Sequence, residues 1–148
     1  MGSEMCIRDS TRCNFKDADL RGARLEGVRC DQAFFGKAAL ARAGLAGAYL
    51  RRAIFVEAEL TGADLTGADM AGSVLTRAAC TRARFAGADL SQCDFSHADV
   101  SGATFEDAKL TRARFHRAVD RDTIWGDRTA ALGEDEELAE AERWLPLD

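Results

Sequence analysis

Residues that carry chemistry are scarce in this chain. Among 148 residues there are two histidines and one proline, and no apolar run approaches the length of a membrane span. A glycine-rich phosphate loop and a serine-elbow motif are both missing. The five cysteines include no CxxC pair and form no framework of the kind that small secreted domains carry. His97 and His116 are the only histidines. With Asp94 or Asp17 as a thin third ligand and no cysteine on the outside, they do not make a metal set. No catalytic, cofactor-binding or metal-binding residue is therefore expected, nor any cofactor or membrane attachment, and the cysteine usage points to the cytoplasm.

What the chain does contain is a period of five. The stretch "LTGADLTGADM", residues 60 to 70, repeats itself with that step. The same step holds from Phe15 to Phe115, where every fifth residue is apolar. With apolar residues at 47% of the chain, chance would give such a run with odds on the order of one in ten million, so periodicity is the primary signal. Two places before each large residue stands a small one, Ala18, Ala23, Ala33 and onward to Ala113, interrupted only by Cys13, Val28, Ser73 and Cys93.

A step of five scatters residues around a helix and alternates them across a strand. Both registers can face inward only if the chain turns a corner at every pentad, the large residue filling the interior and the small one fitting where the walls come close. The remaining positions should face solvent, and Asp19, Asp64, Asp69, Asp89 and Asp99 precede the large residue accordingly. Glycines 22, 27, 47, 62, 67, 72, 87 and 102 all fall two places after it, where a corner needs backbone freedom. Phe15, Phe35, Phe55, Phe95 and Phe115 lie at multiples of twenty, with Leu75 in the missing place. Four pentads per coil would stack these side chains in one core column. The repeated segment then holds a little over five coils, a rod about 25 Å tall at the ~4.8 Å spacing of neighbouring strands.

The pattern A(D/N)Lxx, seen as "ADL" at 18, 63 and 88 and as "CDF" at 93, resembles that of the pentapeptide repeat proteins over residues 11–120. The resemblance implies an all-β solenoid, a right-handed quadrilateral parallel β-helix. It implies no shared catalytic residues. A minority of the family resemble DNA in shape and charge and act on DNA gyrase, protecting it from quinolones or inhibiting it.

The two ends are different material. Residues 1–10, "MGSEMCIRDS", match a reading frame of a transposase sequencing adaptor and are expected to be a disordered artefact containing Cys6, with native sequence continuing upstream. Residues 121–148 read as a turn followed by a short acidic α-helix with Leu138, Ala141, Trp144 and Leu145 at helical spacing. With Ile124 and Trp125, this tail should cap the open last coil; dimerisation through it is the competing role.

Charge separates these parts. Residues 11–120 hold 16 basic against 14 acidic side chains, whereas residues 121–148 hold 3 against 9. A DNA mimic should be acidic along the rod, and this rod is not. Its arginines, such as Arg51 with Arg52 or Arg77 with Arg82 and Arg84, are interleaved with carboxylates, and only Phe34 and Tyr49 are plausible exposed aromatics, so direct nucleic-acid binding is not expected. Phe34, Ile54 and Val74 stack in a normally polar register, with Val56 beside them, as a candidate interaction stripe. The rival explanations are cover by missing upstream sequence or by the tail, and unremarkable surface apolar residues. Cys13, Cys30, Cys80 and Cys93 stand on inward registers and should be reduced, buried and structural. The function expected is a rigid, non-enzymatic scaffold for an unknown protein partner or a second copy; modulation of DNA gyrase is the alternative.

Overall fold

The structure, a computed structural model, describes residues 12–132; the expected leader over 1–10 and the expected tail helix over 134–145 lie outside them. Parallel bridges pair residues twenty apart from Asn14 with Phe34 through to Thr104 with Ile124. Each coil therefore consists of four pentads, and the bridging residues form four columns, one per face. The first face carries Asn14, Phe34, Ile54, Val74, Asp94 and Arg114; the second runs from Asp19 to Val119, the third from Arg24 to Ile124, and the fourth from Arg29 to Lys109.

The backbone accounts for its polar groups pentad by pentad. Taking Phe35 as the large residue, its N–H donates to the Ile54 carbonyl of the next coil at 2.7 Å, and the Ile54 N–H donates back to Ala33 at 3.0 Å. The Lys37 N–H donates to Val56 at 3.0 Å, and the Ala38 N–H closes the corner on the Phe35 carbonyl at 3.0 Å. The third residue of that corner has φ near +57°, as a type II turn requires. Every fifth residue from Arg12 to Asp122 does the same, with φ between +53° and +74°. Glycine fills this place without penalty, while Arg52, Arg77 and the other non-glycine residues there each bear a cost of roughly 1 kcal/mol.

One amide per pentad remains, that of the residue just after the large one. The aspartates and Asn14 accept it. Asp64 Oδ1 receives the Thr66 N–H at 3.1 Å and the Thr66 hydroxyl at 2.6 Å, Asp94 receives the Ser96 N–H at 2.9 Å, and Asn14 receives that of Lys16 at 2.9 Å. The acidic residue of the repeat is thus a corner-amide acceptor as well as a solvent-facing group, because Asp and Asn readily bond a backbone amide two residues on.

All large-register residues from Phe15 to Phe115 are buried. Stacked rings form the expected column, Phe15 on Phe35 at 5.0 Å, Phe35 on Phe55 at 4.8 Å and Phe95 on Phe115 at 4.9 Å. Leu75 is fully buried, at the place between Phe55 and Phe95. A second aromatic column stands opposite, with Phe85, Phe105 and Trp125 spaced 5.0 and 4.7 Å, and the two meet edge to face. Polar atoms at the small register are satisfied: the Ser73 hydroxyl donates to the Leu50 carbonyl at 2.6 Å and the Cys93 thiol to that of Met70 at 2.9 Å.

The coil geometry runs past the last obvious pentad. Ile124 bridges Thr104, Trp125 takes the large-residue place against Phe105, and Leu132 returns to the first face by bridging Arg114 after eighteen residues instead of twenty. Arg128 lies over the Trp125 ring at 4.0 Å.

Candidate interaction face

The first face brings the sequence-predicted stripe together. Phe34 bridges Ile54 and Ile54 bridges Val74, so the three side chains stand on consecutive coils. Phe34 is 37% exposed, and Ile54, Val56 and Val74 are half-buried. The Phe34 ring folds over the next corner: a Cβ on Gly36 would lie 2.6 Å from the ring's Cζ. Only glycine lets the ring lie that flat, which widens the apolar surface toward Val56. Asn14 bounds the stripe below, and Asp94 and Arg114 bound it above.

The other faces are mostly polar, with large apolar residues exposed singly at Tyr49, Val119 and Ile124. On the fourth, the acidic neighbours Asp69 and Asp89 stack, and Arg51 Nε sits 2.6 Å from Asp69 Oδ2. On the third, Arg84 lies 3.9 Å from Asp64. Tyr49, 44% exposed, packs under the Arg29 guanidinium at 5.4 Å. The hydroxyl of Thr66, followed by its amide and by Arg84, holds Asp64 below the usual carboxylate range, and the Arg21 guanidinium holds Asp19 down at about 2.

These depressed acids bind fewer protons folded than unfolded. The stability they add is complete above the ordinary value of 3.8 and is lost as pH falls through the folded values toward about 2. We expect Asp64→Ala to lower the unfolding free energy by about 1 kcal/mol at pH 7, and the gap to the parent protein to shrink at pH 2. Chemical denaturation followed by circular dichroism at the two pH values measures it.

His97 and His116 meet edge to face at 5.6 Å, His116 almost wholly buried at 2% exposure. Among the described residues no group of three metal-ligating side chains comes together, and no helix there is long and apolar enough to cross a membrane. The cysteine expectation needs correction at two positions, Cys13, which near the open first coil is only half-buried, and Cys30. Cys13, Cys80 and Cys93 are free, and burial pushes the Cys93 thiol up to about 12. Cys30 is instead disulfide-bonded, so it is not the reduced core residue that its inward register implied. The register specifies burial, which Cys30 has at 0% exposure, and is silent on covalent state.

A four-sided parallel coil with a closed core and side chains displayed on flat walls defines a solenoid of the β-helix class. A sequence profile for pentapeptide repeats matches in 8 copies over residues 13–35, 18–55, 53–92 and 88–118. The chain belongs to the pentapeptide repeat family, whose fold is the right-handed quadrilateral β-helix. Among solved structures it is similar to HetL, a pentapeptide repeat protein involved in heterocyst differentiation regulation from the cyanobacterium Nostoc sp. strain PCC 7120. The identity is 20% and the TM-score 0.50, covering 82% of this chain and 83% of that one. A pentapeptide repeat protein of the Arabidopsis thaliana thylakoid lumen is 23% identical, with TM-score 0.47, covering 80% and 72%. QnrB1, a plasmid-mediated fluoroquinolone resistance protein, is 18% identical, with TM-score 0.38, covering 93% and 86%. No curated protein shows significant sequence similarity to the chain.

Proposed function

We propose that this protein is a non-enzymatic scaffold that offers the stripe of Phe34, Ile54, Val56 and Val74 to a protein partner. One observation carries the reading: Phe34, Ile54 and Val74 put a large apolar residue on three successive coils of one face, with Phe34 still 37% exposed, whereas Tyr49, Val119 and Ile124 in the same register have no large apolar neighbour on the adjoining coil. The wall beneath is rigid, so the side chains are presented with little ordering cost on binding. Phe34→Asp combined with Ile54→Lys should leave the circular dichroism spectrum unchanged and abolish capture of the partner by the immobilised chain from cell lysate, read by mass spectrometry. Equal recovery on both surfaces would remove the stripe as the interface.

Modulation of DNA gyrase is the second reading. The stacked carboxylates of Asp69 and Asp89 lean toward it, and Arg51 beside them, with the near-neutral rod, leans against it. Supercoiling by purified gyrase, with and without a quinolone, decides. Inhibition or protection at sub-micromolar protein would put the DNA mimic ahead of the scaffold.

A further inference from the structure

The first face carries a charge pattern that is self-complementary in one of the two ways it can pair with a second copy. On the coil of Ile54, the residue flanking the face on one side is Arg52 and on the other Val56, with Glu57 at the corner just beyond; Arg52 and Glu57 are exposed. The Arg52 stem runs upward along Gly72, its Cγ 3.4 Å from where a Cβ would stand. Consider two copies laid face to face. With a twofold axis along the rod, each rung meets its own counterpart. The two flanks exchange, so Arg52 crosses the partner copy's Val56 and reaches its Glu57, twice by symmetry. With the axis across the rod, Arg52 meets Arg52 and Glu57 meets Glu57. The first arrangement pairs charges and the second opposes them.

Above the stripe the same operator sets Asp94 against Asp94 and Arg114 against Arg114, each like pair bridged within its own chain to the opposite charge. This end therefore adds nothing to the pairing, and the orientation rests on Arg52 and Glu57. Asp94 is also committed to the Ser96 amide at 2.9 Å, which orients its carboxylate along the wall. The apolar part covers three coils, about 15 Å of height. This falls short of the roughly 800 Å² per partner of a stable interface, so the flanking charges must contribute and the complex dissociates readily on dilution.

We infer that the occupant of the stripe is a second copy of this chain, packed in parallel about a twofold axis along the rod, with Arg52 of each copy against Glu57 of the other. The inference rests on the stripe being an interface, as proposed above, and adds the partner and its orientation. Sedimentation equilibrium of the full chain should show a concentration-dependent dimer. Arg52→Glu should weaken it by about tenfold, and Arg52→Glu combined with Glu57→Arg should restore it. Phe34→Cys should cross-link to itself under mild oxidation, with the parent chain as the control for the existing cysteines. In the opposed arrangement Phe34→Cys would cross-link instead to a Val74→Cys chain. A monomer at every concentration, a cross-link between positions 34 and 74, or a double charge swap as weak as the single one would overturn the inference. A monomer that still captures another protein through the stripe would overturn it while leaving the scaffold intact; unchanged capture by Phe34→Asp with Ile54→Lys would remove the scaffold reading itself.

Discussion

Leu65→Asp should abolish the cooperative unfolding transition of the middle of the rod. Leu65 is fully buried at the large register of the third face. A carboxylate there has no water and no cation, and the effective penalty of such a burial is several kcal/mol. Typical domains have a total stability of about 5–15 kcal/mol, and a solenoid draws on only the nearest coils to support a damaged one. The expected result is a protein that loses most of its β circular dichroism or separates into a folded stub and an unfolded remainder. The same carboxylate at Phe34, thirty-one positions earlier and on the outer surface, should cost at most about 1 kcal/mol. A soluble, fully folded Leu65→Asp chain would contradict the inward assignment on which every register here depends.

Phe105→Ala should have the second largest effect, about 3–5 kcal/mol. Phe105 stacks on Phe85 at 5.0 Å and on Trp125 at 4.7 Å, and meets Phe95 and Phe115 edge to face at 5.9 and 5.8 Å. Its removal opens a cavity where both aromatic columns join and takes away the ring on which Trp125 rests. Phe35 has stacked neighbours only in its own column, so Phe35→Ala should cost less. Urea titration compares the two. In a Trp144→Phe background, Trp125 emission should shift to the red in Phe105→Ala and stay in place in Phe35→Ala. Equal losses would show that the joined columns add nothing beyond area burial.

Most of the fold was legible because one requirement is written twenty-one times. Each large residue from Phe15 to Phe115 has to face inward, and the spacing of Phe15, Phe35 and Phe55 implies four sides per coil. The second aromatic column was missed because Phe85 and Phe105 begin late and their continuation, Trp125, lies past Val119 and Asp120, where the small-and-large alternation has already failed. The aspartates were read correctly as outward, but their bonds to corner amides were not, since composition cannot say which backbone group lacks a partner. The alignment of Phe34, Ile54 and Val74 was legible for a simpler reason: they are large and apolar at intervals of twenty in a mostly polar register. The flat seat of the Phe34 ring on Gly36 was not, because it depends on a side-chain direction that no periodicity encodes. Cys30 shows the same limit, its register fixing where the sulfur lies and nothing of what it is joined to.

The bridge interval of twenty residues also governs how such a chain can change length. Removing one pentad between Leu60 and Leu65 would keep every large residue inside, yet turn all downstream walls by a quarter revolution. Ala79 would then stand above Ile54 where Val74 had been, and the stripe would be cut after two rungs with the core still in phase. Removing four pentads would shorten the column and leave each remaining wall aligned. Facing inward thus obeys a step of five, whereas standing in one column, inside or outside, obeys twenty, so the loss of a single pentad would redraw the walls while every large residue stayed inside.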